Sequence, residues 1–489
     1  MASTFNLVRN SRVFFTTNVD STTGQIILND SPTGITAANT KELTVLDGFS
    51  FSQGTQQSVI QISEAGNIPV RGQRAFNTQL DPVDFSFSTY LRPAASAYIV
   101  SAEEEVLWNA LFSANPITTG KALTTTTLTR SASSPTAVIT CTAVNMTTVA
   151  ATGDWVSLGG FPAGTTNVVE WEGPAKILSM TPTNTAATAI TILYAGAPAT
   201  SAGTSAVGAT AVTVFTGAAG KQSTAVGTGA HAFFHTSDSN RNQLQKFGMY
   251  FYIDNILYTV DNCALDQASI DFGLDGIATI AWSGKGTRLR QLPETCLVSG
   301  TSATFTGAGN STGTATAKAS TAHYITNKLS TMTLNKDIYG GGTSYTVALT
   351  GGNLTIANNI NYVVPANLGV VNESIGYFTG SRSVSGNVTA YLRTGSGNSA
   401  QVLKDILTDN LSETKYKISL SVGGASNGVH ADFKMNGVAL QVPTIETGDV
   451  MSTTINFTAQ GHDPVIANNA FDLEQTNDLF ISYYATNNV

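Results

Sequence analysis

Two stretches of the chain end alike: Phe85-Ser-Phe-Ser-Thr-Tyr90-Leu91-Arg92 and Val384-Ser-Gly-Asn-Val-Thr-Ala-Tyr391-Leu392-Arg393. Each alternates in the manner of a half-buried strand. Counting back from Tyr90 and Tyr391, Phe76 and Tyr377 fall at the same offset. Further back, Phe49-Ser-Phe51-Ser-Gln53 lines up, with a small gap, with Asn353-Leu354-Thr-Ile356-Ala357. Recurrence of this kind implies one structural unit written twice.

The match continues downstream. After Arg92 comes Glu103-Glu-Glu-Val106-Leu107-Trp108-Asn-Ala110-Leu111-Phe112, and after Arg393 comes Gln401-Val402-Leu403-Lys-Asp-Ile406-Leu407. Apolar residues at i, i+3 and i+4 give each segment one sticky helical face. Ser101 is the expected N-cap of the first, and its acids suit the positive end of the helix dipole. Each half then closes with a predicted hairpin. The first is Phe247–Ile253 and Ile256–Val260, turning at Asp254-Asn255; the second is Ala431–Met435 and Val438–Val442, turning at Asn436-Gly437. Asn-Gly is a strong hairpin signal because both residues tolerate φ > 0. In the last strands Ile280 and Trp282 answer to Ile455 and Phe457, and Gly286 to Gly461.

The offset between the halves is about 300 residues in front and about 175 behind, so the first unit carries an insertion. The expected organisation is a first tandem domain in two parts (1–117 and 246–291), an inserted β domain at 118–245, a linker at 292–321 and a second tandem domain at 322–489. The insertion has no charged residue from Ile177 to Gly220. Gly153–Gly160 and Thr188–Tyr194 read as strands of a small sandwich or barrel, with residues 195–230 a candidate for disorder. The Ser/Thr/Gly-rich linker has a relaxed reach of roughly 30 Å. The fold class is therefore mainly β: two tandem β-barrel or sandwich domains, each with a flanking helix, plus a small sandwich-like domain inserted in the first.

Composition narrows the function classes. Charged residues are 11% of the 489, against roughly 25% in ordinary soluble domains. A net charge of −8 argues against a protein that grips nucleic acid. Cys141, Cys263 and Cys296 are too scattered for a disulfide framework or a zinc site. Residues 1–6 lack a basic n-region and an apolar h-region, and no run of about 18 apolar residues occurs, which together lead to the expectation of cytoplasmic synthesis.

Catalytic chemistry is hard to place. His231-Ala-Phe-Phe-His235 has metal-pair spacing but lacks the glutamate and third ligand, and its neighbours read as strand or loop. Asp254, Asp261, Asp266, Asp271 and Asp275 do not fit a calcium loop and read as turn or solvated-face acids. Gly217-Ala-Ala-Gly220-Lys221-Gln222 has Gln222 where a phosphate loop needs Ser or Thr. The expectation is no enzyme, no cofactor and no metal.

Taken together, the segments Leu7–Phe14, Pro69–Phe76, Phe85–Tyr90 and Trp282-Ser-Gly284, with Leu349–Ile360, Gly376–Gly380 and Val442–Val450, resemble the duplicated tail tube (major tail) proteins of long, flexible-tailed siphophages. The resemblance covers about three-quarters of the chain and leaves out the insertion and the linker. It implies homotrimeric rings of pseudo-sixfold symmetry, stacked into a virion tail tube through which DNA passes without sequence-specific binding. It also implies tape-measure, tail-terminator and distal-tail or baseplate proteins as partners, no membrane, and assembly in the host bacterial cytoplasm. An inserted domain leaving the helix–strand connection is expected to project outward, which disfavours a surrounding sheath. The inner tube of a contractile injection system and a β-rich surface adhesin or carbohydrate-binding protein are the alternatives. The semi-apolar segments before Phe76 and Tyr377, carrying Val59, Ile60, Ile62, Ile68 and Pro69 in one half and Tyr362, Val363, Val364 and Pro365 in the other, are the expected ring-to-ring contacts.

Overall fold

Burial with a period of two, as in the buried Ile280, Trp282, Gly284 and Gly286 of one strand, organises most of the chain into antiparallel sheets. The computed structural model describes residues 11–27, 35–36, 38–46, 48–61, 73–96, 99–112, 121–130, 136–147, 151–153, 155–159, 173–194, 203–205, 211–215, 219–221, 228–234, 243–253, 256–292, 309–310, 324–336, 344–366, 372–408, 416–423, 429–446, 450–460 and 478–486. The first half opens with β1 (Ser11–Thr16), β2 (Thr40–Leu43), β3 (Ser50–Gln61), β4 (Gln73–Tyr90), the hairpin β5 (Pro93–Ser96) and β6 (Ile99–Ala102), and α1 (Glu105–Phe112). The insertion supplies β7 (Lys121–Arg130), β8 (Thr136–Val144), β9 (Trp155–Gly159), β10 (Gly173–Thr181), β11 (Ala187–Tyr194), β12 (Gly203–Ser205) and β13 (Ala211–Phe215), followed by β14 (Ala219–Lys221) and β15 (Thr228–Phe234). The half closes with β16 (Phe247–Ile253), β17 (Ile256–Gly273), β18 (Thr279–Gly286) and β19 (Arg288–Leu292), and β20 (Gly309–Asn310) lies in the connection. The second half holds β21 (Thr331–Asn335), β22 (Ser344–Val347), β23 (Leu349–Ala357), β24 (Asn361–Val363), β25 (Gly376–Phe378), β26 (Ser383–Tyr391), α2 (Ser399–Thr408), β27 (Tyr416–Val422), β28 (His430–Leu440), β29 (Thr444–Glu446), β30 (Ser452–Ala459) and β31 (Phe480–Thr486).

In the first half the ladders run β2–β1–β16–β17–β18–β4–β3. In the second they run β22–β21–β27–β28–β30–β26–β23, the same order. Each half is thus two layers joined by one long strand that passes from one to the other. β17 makes the passage at Asp261-Asn262, where its register with β16 shifts and Asn262 takes φ 46°. β28 makes it at Asn436-Gly437, where its register with β27 shifts.

This overturns the expected hairpin at Asn436-Gly437. His430–Leu440 is one strand, and the partner of Ala431–Met435 is β27. The dipeptide that suits a tight turn equally suits a bulge, which also wants a residue free to leave the β region. Two smaller corrections follow. Ser101 lies in β6, so it does not cap α1, which starts only after the turn at Glu103-Glu104. Tyr90 pairs with Thr279 and Tyr391 with Ser452, so Trp282 stands level with Ile455, two residues from its expected match at Phe457. A shift of two keeps every side chain on its own face.

The inserted strands close on themselves, since β7 pairs with both β8 and β13 around the circuit β8–β11–β10–β9–β13. β14 and β15 leave that sheet, and β15 pairs instead with β31. His231 lies within β15, as its neighbours predicted, while His235 lies outside the described residues. Residues 195–202, 206–210, 216–218 and 222–227 and most of 292–321 are likewise outside them, so the expected disorder and the expected flexible linker are not described there. Apolar side chains of both halves form one continuous core, with Trp108 of α1 edge-on to Trp282 at 4.8 Å between centroids. Burying one such ring stabilises by about 1.5–3 kcal/mol.

Candidate assembly interfaces

The two halves meet along a sheet seam. β17 pairs antiparallel with β23 from Gln267↔Ala357 to Gly273↔Gly351. On its polar face Ser269 and Thr355 bring their hydroxyls to 3.4 Å, and the Asn353 amide donates to Ser269 Oγ at 2.9 Å. Beyond β23 the second half throws an arm, β24–β25, over the bend in β17. Asn358 donates from Nδ2 to the carbonyls of Leu111, at the end of α1, and Leu265, at 3.0 and 3.2 Å. The Ile360 N–H donates to Asp266 Oδ1 at 2.7 Å. Tyr362 donates to the carbonyls of Asn262 and Lys285 and Tyr377 to that of Leu244, each at 2.8 Å. Burial raises the Tyr362 hydroxyl well above the ordinary tyrosine range and pushes Tyr377 up to about 12, so both remain donors.

A second tie runs through the C-terminal strand. β31 lies between β28 and β15, and its Tyr483 hydroxyl reaches the first half's core. There it accepts from Trp108 Nε1 at 2.7 Å and donates to the Glu104 carboxylate. Glu104 is fully buried, and desolvation pushes its carboxyl up to about 7 against the opposing effect of the Tyr483 and Trp108 donors. The other acid-rich segment is structural as well: Asp261 is buried and takes Arg290 at 2.6 Å and the Ile26 N–H at 3.1 Å.

The seam leaves a matching pair of edges. Among the described residues β3 has β4 as its ladder partner and no strand on its other side. Val438–Leu440 and β29 pair with β30 on one side only. Through the common frame of Tyr90 and Tyr391, β3 stands where β23 stands, and Val438–Glu446 stands where the outer part of β17 stands. The exposure follows. Ile270 on β17 is 0% exposed, whereas Ile445 at the matching station of β29 is 45% exposed.

No family model matches the chain. Over 459 residues it is 24% identical to tail tube protein pb6 of Escherichia phage T5, an alignment covering 93% of this chain and 72% of that protein. The resemblance to siphophage tail tube proteins is borne out. With it goes a structural role in a phage tail tube, carried by a mainly β chain. In this setting the residues expected to bridge tube rings divide. Val59 and Val363 are exposed on their arms. Tyr362 is turned onto the first half and its hydroxyl is used there. Val364 and Pro365 are half-buried just after β24, Ile60 lies in β3, and Ile62, Ile68 and Pro69 are outside the described residues. The seam residues Asn358 and Asp266 and the Glu104–Tyr483 tie went unseen in the sequence, because nothing local marks a partner hundreds of positions away.

Proposed function

We propose that the chain polymerises into the tail tube itself: rings of three chains, each chain supplying two copies of one domain, stacked into a pseudo-sixfold conduit for DNA ejection. The observation that carries this is the β17–β23 seam together with the two open edges of matching kind. An unpaired edge is a template for another strand. Head-to-tail joining of β3 to the β28–β29 edge of the next chain repeats the seam, and such contacts close a ring when the rotation closes. Fusion of two copies makes half of the lateral contacts intramolecular, at an effective concentration on the order of mM. The insertion faces outward, leaves the lumen open and leaves no room for a sheath. The remaining partners are the tape-measure, terminator and distal-tail proteins that the resemblance implies.

The seam register fixes the test. Ser269↔Thr355 and Ile270↔Leu354 translate into Thr444 opposite Ser52 and Ile445 opposite Phe51 of the next chain. Directly opposed strand residues have Cα atoms about 4.5–5.5 Å apart, within disulfide reach. Chains carrying Ser52→Cys with Thr444→Cys should oxidise to closed, covalent trimers. Purified protein that forms no rings by electron microscopy and no inter-chain disulfide would refute the reading.

A further inference from the structure

The arms show the same asymmetry as the edges, on different residues. In the second half the arm ends in Tyr362 and Tyr377, a cross-strand pair with rings 5.6 Å apart, packed against Leu244, Ala264 and Ile360. In the first half the corresponding rung of the β3–β4 arm is Ser58↔Phe76. Phe76 stands 14 residues before Tyr90, as Tyr377 does before Tyr391, yet it is 51% exposed. The surface that would receive it is also uncovered. α1 is sealed: Asn358 caps Leu111, Arg382 lies 5.9 Å over the Phe112 ring and Tyr483 bonds Trp108, all from the second half. On α2, Leu407 follows the buried Ile406 and is 54% exposed.

We propose that Phe76 is a lateral anchor, seated against the bend of β28 and the end of α2 in the next copy of this chain. It reproduces there what Tyr377 does within one chain. The occupant is a second copy because the protein already contains the complete contact once, with the complementary halves of another left over. Ala264, beside Tyr377, corresponds to Ala439, two residues past the β28 bulge. The arm then has two faces of different use: the Phe76 face packs sideways, and the Val59 face, paired with Ala75, is left for other contacts. Anchors of this type, aromatic and central to a desolvated pocket, dominate interface energies.

The inference rests on the ring reading, and its test separates the two. Phe76→Asp and Leu407→Asp are made in the full chain and followed by native mass spectrometry for ring formation and by thermal melting of the monomer. Ring association should weaken by roughly ten-fold or more, with monomer melting unchanged because both side chains are exposed in the isolated chain. Phe76→Cys with Ala439→Cys should also link neighbouring chains on oxidation. Rings that form at wild-type concentration in both Asp variants overturn the anchor. So does a failure of the Phe76–Ala439 disulfide in chains whose Ser52–Thr444 disulfide forms, while the ring reading survives. If neither disulfide forms and the wild type makes no rings, it is the ring reading that fails.

Discussion

Phe85 lies directly across the β4–β18 ladder from Gly284, and a Cβ on that glycine would stand 2.4 Å from the ring's Cζ. Five rungs in from Tyr391, where the first half has this pair, the second half has Gly386 across from Phe457. A Cβ on Gly386 would lie 2.7 Å from the Phe457 Cζ. One ring fills the slot in each half, supplied from opposite strands.

Exchange within the slot should therefore cost less than the sum of the two single changes. Phe85→Gly removes a buried ring and should cost about 3–5 kcal/mol. Gly284→Phe overpacks and should cost about 1–3 kcal/mol or more. The double variant relieves the clash with the ring but not the 2.6 Å approach of the new Cβ to the Ala264 carbonyl oxygen, so it should recover part of that loss, with a coupling outside the additive range of about 0.5 kcal/mol. Denaturant titration of the four proteins decides it, and simple additivity would show that the slot is not shared.

Glu104 makes stability depend on pH in a stated direction. Its carboxyl is raised from the ordinary 4.5 to about 7 by burial, so the folded chain holds the proton more tightly than the unfolded one. Its contribution is complete below pH 4.5 and is lost as pH rises through about 7. A shift of that size corresponds to about 3 kcal/mol. Glu104→Gln keeps the shape and removes the titration. The difference in stability between wild type and Glu104→Gln should shift in favour of the variant between pH 5 and 8, and a constant difference would show that the carboxyl does not titrate there.

Asn358 holds the second arm by satisfying two carbonyls of the first half, Leu111 and Leu265. Asn358→Leu leaves both without that donor, at about 1–3 kcal/mol. The loss should be local. Amide exchange at Ile360 and Tyr362 should speed up markedly, while that of Met332 and Leu334 in β21 should stay protected. Uniform acceleration across the chain would mean that the arm is not a separate unit.

The strands were legible where alternation is strict, as in Phe85–Tyr90 and Ser452–Ala459, and the two-fold recurrence of Tyr-Leu-Arg located the helices. What the sequence hid is non-local. Asn436-Gly437 carries the same signal for a turn and for a bulge, and only the presence of β27 as a partner decides between them. The offset of β18 against β30 slipped by two because a shift of two leaves the apolar pattern intact. Tyr362 read as an exposed contact because its partners, the carbonyls of Asn262 and Lys285, are 100 and 77 residues away.

On the proposed assembly, the remaining face of the first arm is the one left for stacking rings. Val59 is 49% exposed on the rung opposite Ala75, on the side of the hairpin turned away from the Phe76 face, and Val363 is exposed at the matching place on the second arm. On the proposed assembly two apolar stations per chain would recur around a ring, and each valine buried against the next ring would stabilise the stack by about 1.5–3 kcal/mol. Asp at Val59 and Val363 together should replace that gain with buried charge, which costs more than the apolar contact supplies. Rings should still form, since the lateral edge at Ser52 and the Phe76 face are untouched, but they should not stack. Electron microscopy of the Val59→Asp, Val363→Asp variant should show single rings, and tubes of normal length would assign stacking to other residues.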